Sequence, residues 1–308
     1  MIAYLQQLLV RLASGIAQLP EEQRDRHCRW ILGCQEPDGG FAGRHPGSDL
    51  YYTSFALRSL ALLGGLNPQT AARCGSYLRT RLHGFETILD TLSLLYSGFL
   101  LRTATGTDVF ADLPDTWRGQ VARGLEALRA SDGGYSKSPQ GYAGSTYHSF
   151  LVLLALELLE VPTPEPERLV SFLLQQRAAD GGFLEIRVAK RAGTNPTAAA
   201  IGALEILGAL TEEIRRETID FLADMQTDEG GLRANSRIPV ADLLSTFTGL
   251  WTLERLGARD AVDLRSLKRY VLSLESEHGG FAGAVLDSGR DVEYTFYGIA
   301  TLGLVADV

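Results

Sequence analysis

Three carboxylates in this chain stand where chemistry could be done: Asp242, Asp291 and Glu293. Each lies at the start of a strongly apolar segment, so two readings compete. An acidic side chain at or just before the first helical residue accepts backbone N–H bonds, which makes Asp242 and Asp291 candidate N-caps. The other reading is catalytic: an oxygen-only site that suits magnesium or calcium, or the facing carboxylates of a glycoside hydrolase, with Glu293 as an acid.

Cations gather just ahead of the same apolar segments: Arg44 and His45, Lys137, then Arg187, Lys190 and Arg191, then Arg233 and Arg237, and Arg290. A single loop charge is ordinarily just solvated. Their shared position is the stronger signal, because the N–H groups of a helix start favour an anion by about 0.3 to 1 kcal/mol when exposed. The chain as a whole carries a formal net charge of -8, which excludes a nucleic-acid binder that works through overall positive charge.

The elements that position these residues follow from hydrophobic periodicity. Segments Leu50 to Leu63, Thr87 to Leu101, Ser145 to Leu159, Pro196 to Leu210, Asp242 to Leu256 and Val292 to Val305 are nearly free of charge all round, so they must be buried on all sides. They alternate with amphipathic helices at Glu21 to Gln35, Pro68 to Leu82, Asp115 to Arg129, Glu165 to Arg177, Thr211 to Gln226 and Ala261 to Glu275. A diglycine motif joins each pair: Asp38-Gly39-Gly40-Phe41, Asp132-Gly133-Gly134-Tyr135, Asp180-Gly181-Gly182-Phe183, Glu229-Gly230-Gly231-Leu232 and His278-Gly279-Gly280-Phe281, with a worn copy at His83-Gly84-Phe85. Successive copies lie about 45 to 49 residues apart, the sign of a repeat architecture.

Alternating buried and amphipathic helices predict an all-α fold, an α6/α6 toroid (α/α barrel) of about six helical hairpins. The buried helices form an inner ring with their N-termini on one rim of a central cavity. An open solenoid would not need every second helix to be apolar all round. The repeat argues for one domain over residues 1–308, with an extra helix in 1–20. The diglycines are expected as helix stops, glycine being the residue that adopts positive φ without strain.

Aromatic residues lie along the inner helices: Tyr51, Phe55, Tyr147, Phe150, Phe247, Trp251, Tyr294 and Tyr297. They form either core or the lining of a tunnel. A cationic rim over such a tunnel suits an amphiphile with an anionic head and a long apolar tail, each buried CH2 contributing about 0.8 kcal/mol. Cys28, Cys34 and Cys74 lack metal-ligand or disulfide spacing and read as reduced core thiols. The N-terminal stretch has no basic leader region, Arg11 breaks its apolar run, and no later run reaches the ~20 residues of a membrane span. The expectation is a soluble, cytoplasmic protein.

The diglycine-aromatic repeat, with GGLRANSRIPVADLLSTF at 230–247 and GGFAGAVLDSGRDVEYTFYGIATLGL at 279–304, resembles the β subunits of protein prenyltransferases, nearest to the Rab geranylgeranyl type, over Asp38 to Val305. The repeat is shared with squalene-hopene and related class II terpene cyclases. The resemblance implies a toroid that holds a polyprenyl diphosphate, a zinc ion that activates a cysteine thiolate of a peptide or protein acceptor, and a helical α-subunit partner.

Carried over residue by residue, the family's zinc ligands fall on Asp242, Leu244 and Tyr294, where the family has Asp, Cys and His; its acidic residue before that His matches Asp291. Asp242 is thus the only retained zinc ligand, so zinc is disfavoured and no cofactor is expected, while the oxygen donors would suit magnesium or calcium better than zinc. The family's arginine on the third inner helix is Tyr147 here. Its diphosphate-holding residues map loosely onto Arg191, Arg233 and Arg237, which with Lys190 and Arg290 make the expected diphosphate set. There is no DxDD run, and the diglycines are followed by Phe, Tyr or Leu where the cyclase repeat prefers Trp. Two readings stay open: an enzyme acting on a polyprenyl diphosphate, transferase-like or cyclase-like, and a non-catalytic isoprenoid-binding scaffold. The charged outer helices carry no long apolar stripe, so a monomer without the α subunit is expected.

Overall fold

A computed structural model describes residues 3–82 and 87–308; the worn copy at His83-Gly84-Phe85 lies outside them. The chain forms two compact units, Met1–Trp117 with Leu272–Asp307, and Arg118–Val271 with Val308. Helices α1 (Tyr4–Ile16), α2 (Glu21–Leu32), α3 (Leu50–Leu63), α4 (Pro68–Thr80) and α5 (Ile88–Thr105) belong to the first unit. Helices α6 (Trp117–Glu126), α7 (Thr146–Leu159), α8 (Pro166–Gln175), α9 (Thr194–Ile206), α10 (Glu212–Ala223), α11 (Leu243–Arg255) and α12 (Leu264–Ser273) make the second. A small antiparallel pair, β1 (Phe281–Ala282) with β2 (Arg290–Asp291), and α13 (Val292–Leu304) return to the first.

The apolar helices are buried as their sequence requires. In α7 the run Leu151 to Leu156 is buried throughout, and in α9 so are Ala199 to Ile201, Ala203 and Leu204. In the first unit α3 packs between α5 and α13; in the second α9 packs between α7 and α11. Helix α1 lies on α13 at a close approach of Gly15 to Gly303, where a Cβ on Gly15 would sit 1.8 Å from the Gly303 carbonyl oxygen. Arg11, the residue that interrupts the first apolar run, donates to the Gly303 and Leu304 carbonyls at 3.4 and 3.3 Å and so caps the end of α13. Two inner helices differ most from expectation: α5 runs on to Thr105, where Gly106 takes φ +75°, and α9 spans 194–206 rather than 196–210, ending ahead of Gly208 at φ +66°; the outer helices α2, α6, α8, α10 and α12 end two to three residues short of the expected bounds.

The diglycines are not the helix stops expected of them. Helix α8 ends at Gln175, well before Gly181. Gly181 instead closes a tight hairpin, its N–H bonding to the Ala178 carbonyl while the Ala178 N–H bonds to that of Gly182, and its φ of +86° fits a turn ending in a G1 bulge. A Cβ there would also meet the Glu217 carbonyl of the following outer helix at 2.4 Å, so the glycine is required for repeat stacking as well as for the turn.

The residue after each diglycine is fully buried and tied to the next inner helix by a hydroxyl. Phe41 N–H donates to Thr53 Oγ1, Tyr135 to Ser149 Oγ, Phe183 to Thr197 Oγ1, Leu232 to Thr246 Oγ1 and Phe281 to Thr295 Oγ1, at 2.8 to 3.2 Å. Four residues before each hydroxyl stands the inner-helix N-cap: Asp49, Ser145, Gly193, Asp242 and Asp291. Within the first unit the first and last repeats are clasped together. His27 Nδ1 accepts from Gly280 N–H at 3.1 Å, leaving Nε2 to donate to Glu275 at 2.9 Å, and Arg26 and Gln23 bind the same carboxylate.

Candidate functional site

In the first unit Asp291 caps α13 by accepting from Tyr294 N–H at 2.9 Å, and its second oxygen accepts from Arg44 Nε at 2.8 Å. The same guanidinium spans Asp287 with bonds of 3.1 and 2.5 Å and lies 5.4 Å from the Tyr294 ring centre. Its bonds to Asp287 and Asp291 raise the Arg44 pKa further above its already high range. Arg290 is also engaged, donating to Ser276 Oγ at 2.6 Å and the Gly279 carbonyl at 2.8 Å beside the Trp30 ring. Both first-unit arginines of the sequence reading, Arg44 and Arg290, are therefore bound by the protein itself.

Glu293 stands two residues into the cap position's turn, half-buried. Its Oε1 accepts from the phenol of Tyr51 at 2.6 Å and from that of Tyr297 at 3.3 Å. Burial raises its pKa and the neighbouring Asp291 adds to the rise, against the lowering effect of the phenols and of Arg44. Tyr51 packs edge-on against Phe55 at 4.9 Å, and Phe55 meets Tyr297 and Phe296 at 5.4 Å. Arg58, one turn along α3, places its guanidinium 4.7 Å from the Phe55 ring and 4.3 Å from that of Tyr96. A protonatable carboxyl beside aromatic faces can donate a proton and stabilise a cation formed nearby.

In the second unit Asp242 accepts Ser245 N–H and Ser245 Oγ at 2.7 Å each, and Asn195 links Ser245 to Thr248. Burial raises the Asp242 pKa in spite of these bonds. At the start of α7, Ser145 Oγ lies 2.8 Å from His148 Nδ1 and also bonds Glu185, whose carboxylate reaches over from the following loop. Burial raises Glu185 and lowers His148, with Lys137 adding to the latter. The loops are bonded edge to edge: Thr146 N–H to the Glu185 carbonyl at 2.9 Å, Thr194 N–H to the Ala234 carbonyl at 2.9 Å.

On these adjoining loops Lys190, Arg191 and Arg237 are exposed, and among the described residues none of them has a side-chain hydrogen bond or ion pair. Arg187 donates to Gln175 at 2.9 Å, and Arg233 to the Asp224 carbonyl at 2.9 Å. Of the aromatic set in this unit, Phe247 and Trp251 are buried on α11, while Tyr147 is exposed and Phe150 half-buried on α7.

Asp291 and Glu293 thus share a cluster in the first unit, and Asp242 belongs to a separate hydroxyl-amide network in the second. The capping role weighed for Asp242 and Asp291 is their observed bonding. Glu185, His148, Asn195, Arg58 and Asp287 were missed. A signal for one of them, Asn195, existed: position cap+2 reads Tyr51, Leu89, Tyr147, Asn195, Leu244 and Glu293 along the repeats, and a polar residue recurs there.

The donors do not fit the resemblance's zinc. Asp242 already uses both oxygens on its own helix, Leu244 has no donor atom, and Tyr294 offers only a phenol, a poor zinc donor, with a guanidinium beside its ring. Among the described residues no three His, Cys, Asp or Glu side chains gather as a metal-binding group. The three cysteines are free; burial pushes the Cys74 thiol up to about 12 and those of Cys28 and Cys34 to about 11.

A family model described as the prenyltransferase alpha-alpha toroid domain matches residues 3–308, so the alternating helices are those of an α/α toroid. Among solved structures the chain is similar to Candida albicans protein geranylgeranyltransferase-I complexed with GGPP, at 16% identity and a TM-score of 0.73, covering 91% of this chain and 90% of that one. It is also similar to the type II terpene cyclase MstE from Scytonema, at 16% identity and a TM-score of 0.60 over 97% of this chain and 98% of that one. A third likeness is to the alpha-1,6-mannanase GH76A of a Salegentibacter species, at 13% identity and a TM-score of 0.60 over 93% and 98%. At these identities the likeness is one of fold. No curated protein matches the sequence. No helix among the described residues is long and apolar enough to cross a membrane.

Proposed function

Because the chain belongs to the prenyltransferase α/α-toroid family, we propose that it binds a polyprenyl diphosphate. The diphosphate rests on the cationic loops of the second unit and the apolar tail on the aromatic side chains of α7 and α11. One observation carries this reading: Lys190, Arg191 and Arg237 stand exposed and unpaired among the described residues on loops bonded to one another, ahead of the starts of α9 and α11. A charge-assisted hydrogen bond to phosphate is worth about 1.5 to 3 kcal/mol. The geranylgeranyltransferase-I neighbour, whose structure is a complex with GGPP, supports the choice of ligand. Zinc-dependent alkylation of a thiolate forms no part of the function, because the donors do not fit.

Isothermal titration with geranylgeranyl diphosphate tests the reading. The parent chain binds it and binds geranylgeraniol, which lacks the diphosphate, far more weakly. The triple variant Lys190→Ala, Arg191→Ala, Arg237→Ala loses at least about a thousandfold in affinity, taking the low end of the range for each contact. Equal affinity of parent and triple variant would refute the assignment.

A second reading rests on Glu293 in the first unit. Held between two phenols and raised by burial, its carboxyl is a proton donor for a prenyl alkene. The proton leaves Glu293 for an alkene carbon, the π pair forms the new C–H bond, and the adjacent carbon becomes cationic. Loss of another proton to a base gives an isomer with the diphosphate intact. Deuterium taken up into prenyl products from D2O by the parent chain and not by Glu293→Gln supports this chemistry; no isomer from either chain refutes it.

A further inference from the structure

The three second-unit loops carry a feature that diphosphate binding does not use. Tyr142 at 136–145 is 95% exposed, Val188 at 184–193 is 82% exposed, and Ile186, Ile238 and Val240 are 38 to 40% exposed on the second and third loops. These loops are joined in a row at their bases by the Thr146–Glu185 and Thr194–Ala234 backbone bonds, and each of them carries an exposed apolar residue. Cations alternate with them: Lys137, Arg187, Lys190, Arg191 and Arg237. The only carboxylates on the loops are Glu185 and Asp242, and both are turned inward, Glu185 to Ser145 and Asp242 to Ser245. The solvent face of the loops is therefore apolar and positive, on a chain whose formal net charge is -8.

We propose that this loop face docks on an anionic phospholipid bilayer, the tips entering the headgroup layer and the cations meeting lipid phosphates and carboxylates. Charge complementarity selects the partner. Each basic side chain near such a surface favours binding by about fivefold, and apolar side chains that enter the interface add to it. A stable protein partner would call for a contiguous apolar centre with its charges at the rim; here every loop mixes the two, Lys137 with Tyr142, Ile186, Arg187, Val188 and Lys190 in alternation, and Arg237 beside Ile238, the arrangement of side chains that reach headgroups and acyl boundary at similar depth. Nucleic acid would make no use of protruding Val188 and Ile186.

Sedimentation of the full chain with vesicles tests the proposal. Binding to phosphatidylcholine vesicles containing phosphatidylserine, weakened by added salt, is expected, with little binding to phosphatidylcholine alone. Tyr142→Ser with Val188→Ser lowers the partition coefficient about tenfold. Lys137→Ala with Arg187→Ala lowers it about twentyfold. Both double variants keep the parent far-ultraviolet circular dichroism, and the Tyr142, Val188 variant keeps its affinity for geranylgeranyl diphosphate, so loss of docking is distinguishable from loss of the diphosphate site. Absence of binding, equal binding to the two vesicle types, or unchanged partition of the Tyr142, Val188 variant overturns the proposal. So does a dimer in sedimentation velocity that this variant dissociates, which would make the tips a contact between copies.

Discussion

Arg44 in the first unit and Arg237 in the second occupy the same kind of loop, five residues ahead of the caps Asp49 and Asp242. Arg44 is held by Asp287 and Asp291, whereas the Arg237 side chain has no partner among the described residues. Both loops are built on one repeat. The difference lies in the neighbours: the last loop of the first unit supplies Asp287 at its tip, whereas of the two carboxylates on the second-unit loops Asp242 caps α11 and Glu185 bonds Ser145, the cap of α7. A cation in a sequence is a candidate anion site only when the adjoining loop leaves it unpaired.

The strongest way to break this comparison is to remove the paired cation. Arg44→Met leaves Asp291, which is 3% exposed, without its ion partner. A loss of about 2 to 3 kcal/mol in urea unfolding is expected, below the value for a fully buried pair because Arg44 is partly solvated. Arg237→Met should change stability by less than about 0.5 kcal/mol. Equal effects would mean that the two loops are electrostatically alike.

A smaller effect tests what the units share. Thr295→Val in the first and Thr246→Val in the second each leave a buried N–H, that of Phe281 or Leu232, without an acceptor. Each should cost about 1 to 2 kcal/mol by the same measurement. A neutral result in one unit would show that its repeats are held together in another way.

The smallest effects are in pH dependence, and they have opposite signs within the first unit. Burial raises Glu293, so its contribution to stability is full below the ordinary carboxylate value of about 4.3 and is lost as pH rises through the folded value. Glu293→Gln should therefore gain on the parent in melting temperature as pH rises. Glu275 is also buried, which by itself would raise it, but the bonds from His27, Gln23 and Arg26 win and lower it. Its contribution is present above about 4.3 and fades as pH falls through the folded value, so Glu275→Gln should lose most at neutral pH and converge on the parent in acid. Parallel pH profiles for the two variants would contradict these environments.

The periodicity of the chain was sufficient for the helices, because a segment without charge on any face has no stable place except between other helices. The same pattern located all the inner-helix starts to within about two residues, and with them the loops that hold the candidate site. It failed on the diglycines. Positive φ was legible at Gly181, but a helix stop and a G1-bulge hairpin both require it, and the choice between them depends on bonds to Ala178 and on the backbone of the following outer helix.

Residue type fixed that Asp242 and Asp291 could cap, that Leu244 could not bind a metal, and that the loops before the inner helices are basic. Which charges are satisfied was decided by tertiary structure alone. Arg44 and Asp287 are 243 residues apart in the chain and bonded in the fold, Tyr51 and Glu293 are 242 apart, and Ser145 and Glu185 belong to different repeats. Coulomb and hydrogen-bond energies depend on separation in space, and local sequence carries no record of which distant loop will supply the partner.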